Sequence, residues 1–156
     1  RIIGKDRKFR TKIISIMKKE EIINLNRTLL YVSFGNMSKP GKSAMMRNLV
    51  RLGKHSKEIE EALKIAFDKF KPIGLDELIK NKERSEAEEK ELNELTKKFD
   101  DDIKDYSSEL LNEDVEIKID YISDADFDEL VDATSKGARE LTAGNFMYLR
   151  EYLVKE

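Results

Sequence analysis

A chain of 156 residues favours one domain, and 39% apolar against 40% charged residues leaves it a narrow core with wide solvated faces. It contains no cysteine, which excludes disulfides, zinc–thiolate centres and thiol nucleophiles and points to a reducing compartment. The net charge of −2 conceals a polarity: residues 1–57 hold 15 Lys/Arg and 3 Asp/Glu, whereas residues 58–156 hold 15 and 29. Such asymmetry suits an anionic partner, or packing of the two parts on each other or on neighbouring copies, and the second reading is preferred.

Apolar runs are too short for a transmembrane helix. Arg1 to Ile16 lacks the continuous apolar stretch of a signal peptide. Numbering from Arg1 implies a lost initiator Met or more. The expected location is cytoplasmic, without secretion by a signal peptide.

In chain order, residues 1–8 read as a basic arm. Residues 9–17, rich in β-branched side chains and free of Gly and Pro, predict a strand. Residues 18–33 predict a helix, with Ile22, Leu25 and Leu29 on one face and Glu20 and Glu21 in its first turn. Gly35, Pro40 and Gly41 punctuate a turn. Met45, Leu49, Leu52, Ser56, Ile59, Leu63, Ala66 and Phe70 then repeat in steps of four and three, a heptad stripe along a helix over 43–70 about 40 Å long. Residues 75–84 fit either a short helix or a polar excursion.

Ser85 and Glu88 have the spacing of a capping box at the start of a second long helix over 85–112, with Leu92, Leu95, Phe99, Tyr106 and Leu110 as its stripe. The two long helices are expected to form an antiparallel hairpin with Leu63 and Leu95 buried in its seam. Residues 115–122 alternate apolar and charged side chains, predicting a half-buried strand paired with the N-terminal one. Ser123 and Thr142 are the expected N-caps of helices within 124–156. The fold class is therefore mainly α with a small β element.

No chemical site assembles from these residues. Gly41-Lys42-Ser43 ends like a phosphate loop, but the upstream glycine would have to be residue 36, which is Asn36. Asp124, Asp126 and Asp128 begin like a calcium loop, but its sixth and twelfth positions are Glu129 and Ser135. His55 is the only histidine and has no metal-binding or triad companions. No carboxylate pair stands out for acid/base work. The expectation is a non-enzymatic protein with no cofactor, metal or small-molecule substrate.

Candidate interaction residues are the basic Arg1, Lys5, Arg7, Lys8, Arg10 and Lys12, interleaved with Phe9, and the C-terminal aromatics Phe146, Tyr148 and Tyr152. The basic set suits phosphates and acidic protein surfaces alike. Met46, Val50, Ile65 and Ile79 lie off the main stripe and are expected to leave apolar surface open for self-association.

The order of elements resembles a group of small bacteriophage-encoded proteins of uncharacterised role from tail and lysis gene neighbourhoods. The likeness spans about residues 11–154 and rests on Leu25-Asn26-Arg27-Thr28-Leu29, the Asn48-Leu49 step, and the strand Val115-Glu116-Ile117-Lys118-Ile119. It implies a phage origin and a virion or accessory role acting through protein partners. The alternative is a small regulatory module that binds nucleic acid through its basic N-terminal third.

Overall fold

A computed structural model describes residues 13–137 and 141–155, with the side chain of Ile13 outside the description. The described residues are mainly helical, with a two-stranded antiparallel sheet. The elements are β1 (Ile13–Lys18), α1 (Lys19–Leu29), α2 (Lys39–Phe70), α3 (Leu75–Lys80), α4 (Glu86–Leu111), β2 (Asp114–Ile119), α5 (Asp124–Ser135) and α6 (Ala143–Leu153). The described residues form two compact units, those up to Ser56 together with those from Asp114 onward, and residues 57–113.

In the first unit β1 pairs with β2 from Ile13↔Ile119 to Lys18↔Asp114. Alternation sends Met17, Ile117 and Ile119 into the core and leaves Ile14 and Ile16 exposed on the other face. The core is completed by Ile22, Leu25 and Leu29 of α1, Met45 and Leu52 of α2, Leu130 of α5, and Leu149 and Leu153 of α6. The Ile122 amide donates to the Leu153 carbonyl at 2.8 Å, tying the segment after β2 to the end of α6.

Local signals placed several ends. The Ser123 hydroxyl accepts the Asp126 amide at 3.1 Å, and the Thr142 hydroxyl accepts the Asn145 amide at 3.1 Å. Both are N-caps of the expected kind.

Elsewhere the ends differ from expectation. The first helix stops at Leu29, not residue 33, because the chain turns to place Ser33 against Thr134 of α5, whose hydroxyl accepts the Ser33 amide at 2.9 Å. Gly35 follows with φ of 55°, beside Ala133, a conformation and a clearance that suit glycine alone. The long helix starts at Lys39, so Pro40 and Gly41 lie in its first turn instead of before it. Proline is tolerated there because the first-turn amides have no intrahelical acceptor. The second strand ends at Ile119 rather than residue 122.

In the second unit the Ser85/Glu88 capping box forms in both directions at 3.2 Å, opening α4 as its spacing predicted. Residues 75–80 are helical, and the Arg84 guanidinium donates to the Leu78 and Asn81 carbonyls at 2.9 and 2.8 Å, satisfying the end of α3. Aromatic rings join α2 to α4: Phe67 with Phe99 at 4.9 Å and Phe70 with Tyr106 at 5.5 Å between centroids. Leu63 and Leu95, expected to be buried, are half-buried, while Ile59, Ala66, Phe99 and Leu110 are buried.

Candidate functional site

The most elaborate polar arrangement lies in the first unit. Asn48 falls on the buried face of α2 between Met45 and Leu52, and it is fully buried. Its side-chain amide donates to the Asp120 carbonyl at 2.9 Å, and its carbonyl accepts the Asp120 amide at 2.7 Å. One side chain thus satisfies both backbone groups of the residue that follows β2, standing in for a third strand. The Asp120 carboxylate is buried too and receives Arg47 Nε and, at 2.9 Å, Arg51 Nη1. Burial pushes this carboxyl up, but the two guanidinium bonds and charges outweigh it and hold it below the ordinary aspartate range.

A second buried carboxylate, Asp126 of α5, closes the N-terminus of α2. It accepts the Ser38 amide at 2.6 Å and the Ser38 hydroxyl at 2.7 Å. The Ser38 oxygen in turn accepts the Gly41 amide at 3.1 Å. Burial raises the Asp126 carboxyl and these Ser38 bonds, with Ser123, lower it by more, leaving it below the usual value.

These bonds account for both motif fragments. Gly41, Lys42 and Ser43 are helical, and Gly41 is small because Asp126 packs against it. The place a bound phosphate would take at this helix N-terminus is filled by the protein's own carboxylate. The three alternating aspartates diverge: Asp126 faces Ser38, Asp124 pairs with Arg150, and Asp128 is exposed. Among the described residues no group of three or more His, Cys, Asp or Glu is arranged to hold a metal ion, and no helix is long and apolar enough to cross a membrane. A cleft of about 410 Å³ opens beside these groups, walled by Arg47, Asp120, Tyr121, Ser123, Asp126 and Lys155 among others.

Of the candidate interaction residues, Arg1, Lys5, Arg7, Lys8, Arg10 and Lys12 lie outside the described residues. Phe146 is half-buried. Tyr148 and Tyr152 turn toward α1: the Tyr152 hydroxyl donates to Glu21 Oε2, and the Tyr148 hydroxyl to the Glu21 carbonyl at 3.4 Å. Their rings meet edge-on at 5.1 Å. Burial, followed by the bond to Glu21, raises the Tyr152 phenol well above its ordinary value. Glu21 also accepts the Lys18 amide at 3.1 Å, so one carboxylate caps α1 and anchors α6.

The off-stripe residues Met46, Val50, Ile65 and Ile79 are all exposed. Sequence reasoning missed Asn48, Arg47, Arg51 and Asp120 as a group. The available signal was a polar Asn48 inside an apolar helical stripe, which requires a buried partner.

Searches of protein-family models, curated proteins and solved structures found no match to this chain.

Proposed function

We propose that this chain is a non-enzymatic, phage-type structural or accessory protein that works through protein–protein contacts, including contacts between its own copies. The observation that carries the reading is the open apolar surface on the long helix: Met46 is 51% and Val50 67% exposed, with Ile65 at 50% further along. Apolar side chains grouped on a charged surface mark interaction sites. The buried polar groups support the same reading, because among the described residues each finds a structural partner, and Asp120 and Asp126, which border the cleft, engage their carboxylates with Arg47, Arg51 and Ser38. On this reading the protein uses no cofactor or small-molecule substrate and acts in the host cytoplasm or the virion.

A second reading draws on a specific feature: residues 39–57 carry six Lys/Arg and no Asp/Glu. That run supports nucleic-acid binding, which would weaken steeply with salt as counterions are released. Light scattering over a concentration series at low and high salt tests the leading reading. Mass that grows with concentration supports it. A strict monomer at high micromolar concentration in both salts, with no partner recovered by pull-down from native extract, removes it.

A further inference from the structure

Two patches, one on each unit, are opposite in charge and alike in carrying apolar groups at their centre. The first is on α2. Met46 and Val50 line a groove of about 260 Å³ with Arg47 and Arg51. Arg47 and Arg51 share one carboxylate, Asp120, so the pair retains an excess positive charge. The second patch is a hollow of about 280 Å³ walled by Phe70 and Tyr106 and by Asp102, Asp105 and Glu109, with no cation among its walls. Asp102 has Lys98 beside it, whereas Asp105 and Glu109 have no ion pair among the described residues. The helix that supplies these carboxylates, α4, carries ten acidic and four basic residues.

We infer that the occupant of each patch is the other patch on a second copy of this chain. The Met46–Val50 ridge of one copy seats on the Phe70–Tyr106 hollow of the next, with Arg47 and Arg51 facing Asp105 and Glu109. This rests on the assembly reading above and gives it a partner and an orientation. The chemistry matches at each point. A thioether and a branched aliphatic group pack well on aromatic rings, and a guanidinium is drawn both to ring faces and to carboxylates. A two-fold contact of either patch with itself would set cation against cation or carboxylate against carboxylate. The contact therefore joins unlike patches, which closes a reciprocal pair when the two copies are related by a two-fold axis and builds rings or filaments when they are not. Nucleic acid would answer the arginines but leave Met46, Val50 and the acidic hollow without a role.

The test mixes two variants that each lose a different patch. Val50→Glu places a carboxylate in the basic groove, and the double variant Asp105→Lys, Glu109→Lys reverses the hollow. These positions are on the surface, and circular dichroism with a thermal melt confirms that both proteins fold. In sedimentation velocity the wild type associates with concentration, to a dimer or beyond. Each variant alone stays at the monomer mass of 18.2 kDa. The equimolar mixture forms a 1:1 heterodimer and nothing larger, because only one intact groove and one intact hollow remain to pair. Wild-type association that survives either variant, or a mixture that stays monomeric, overturns the inference while leaving self-association through another surface intact. A wild type that is monomeric throughout overturns this inference and the self-association it rests on. Salt-sensitive binding of duplex DNA by that monomer, abolished by Val50→Glu, would assign the groove to nucleic acid instead.

Discussion

Asp126 occupies the space that a side chain on Gly41 would need, although the two residues lie on helices far apart in the sequence. The carboxylate closes α2 by accepting both the amide and the hydroxyl of Ser38, 88 positions away. Gly41→Ala should therefore destabilise the fold by displacing Asp126 from Ser38. In an Asp126→Ala background the same substitution should cost much less, since the clash is gone and alanine favours the helix by about 1 kcal/mol over glycine. Urea denaturation of the four proteins of this cycle measures the coupling, and additive effects would mean that the two residues do not share the site.

Asn48→Ala removes the partner of both Asp120 backbone groups in a buried setting. The expected loss is about 1–3 kcal/mol for each group left unsatisfied. Asn48→Leu should be no better, despite suiting the apolar stripe around it. A loss below about 0.5 kcal/mol for Asn48→Ala in reversible denaturation would show that water replaces the amide.

The truncation of stripe residues should separate the fully buried from the half-buried. Leu52→Ala should cost about 2–5 kcal/mol, as for other buried leucines. Leu63→Ala should cost clearly less, because Leu63 retains solvent contact. Equal losses would contradict the burial described for the second half of α2.

Stability should fall in acid because of Asp120 and Asp126. Both have native values below their ordinary 3.8, so the unfolded chain binds protons more readily than the folded one. Their contribution is complete above the unfolded value and is lost as pH falls through the native values. Asp126→Asn should flatten the decline of unfolding free energy below about pH 4. An unchanged slope would deny the carboxylate its role.

Tyr152 gives the opposite sign at high pH. Its phenol is raised above its ordinary 10.0, so its stabilisation is present below that value and is lost as pH rises toward the native one. Tyr152→Phe should lower stability at neutral pH by loss of the Glu21 bond and flatten the decline above about pH 10. Denaturation at stepped alkaline pH checks both effects.

The sequence announces features that are local. Ser85 with Glu88, Ser123 and Thr142 each cap a helix using atoms within a few residues, so spacing alone located them. The alternation from Val115 to Ile119 and the β-branched run before Lys18 identified the two strands as partners. The features it hides depend on distant contacts. Pro40 and Gly41 read as a turn because the carboxylate that makes glycine necessary comes from α5. Likewise, the strand ends at Ile119 because Asn48 takes over the next backbone pair. The division into two units has no linker to mark it, since one boundary falls inside α2 between Ser56 and Lys57. The patches on Met46 and Val50 were legible as off-stripe apolar residues. The hollow at Phe70 and Tyr106 was not, because it needs the aromatic contact between two helices.

Hydrogen–deuterium exchange of the wild type at two concentrations, one dilute and one at high micromolar, tests most directly whether this protein works by assembling through opposed patches. The account predicts slower exchange at the higher concentration around residues 42–54 of α2 and 100–110 of α4, with the first unit's core unchanged. Identical exchange at both concentrations, or protection confined to other surfaces, would contradict it.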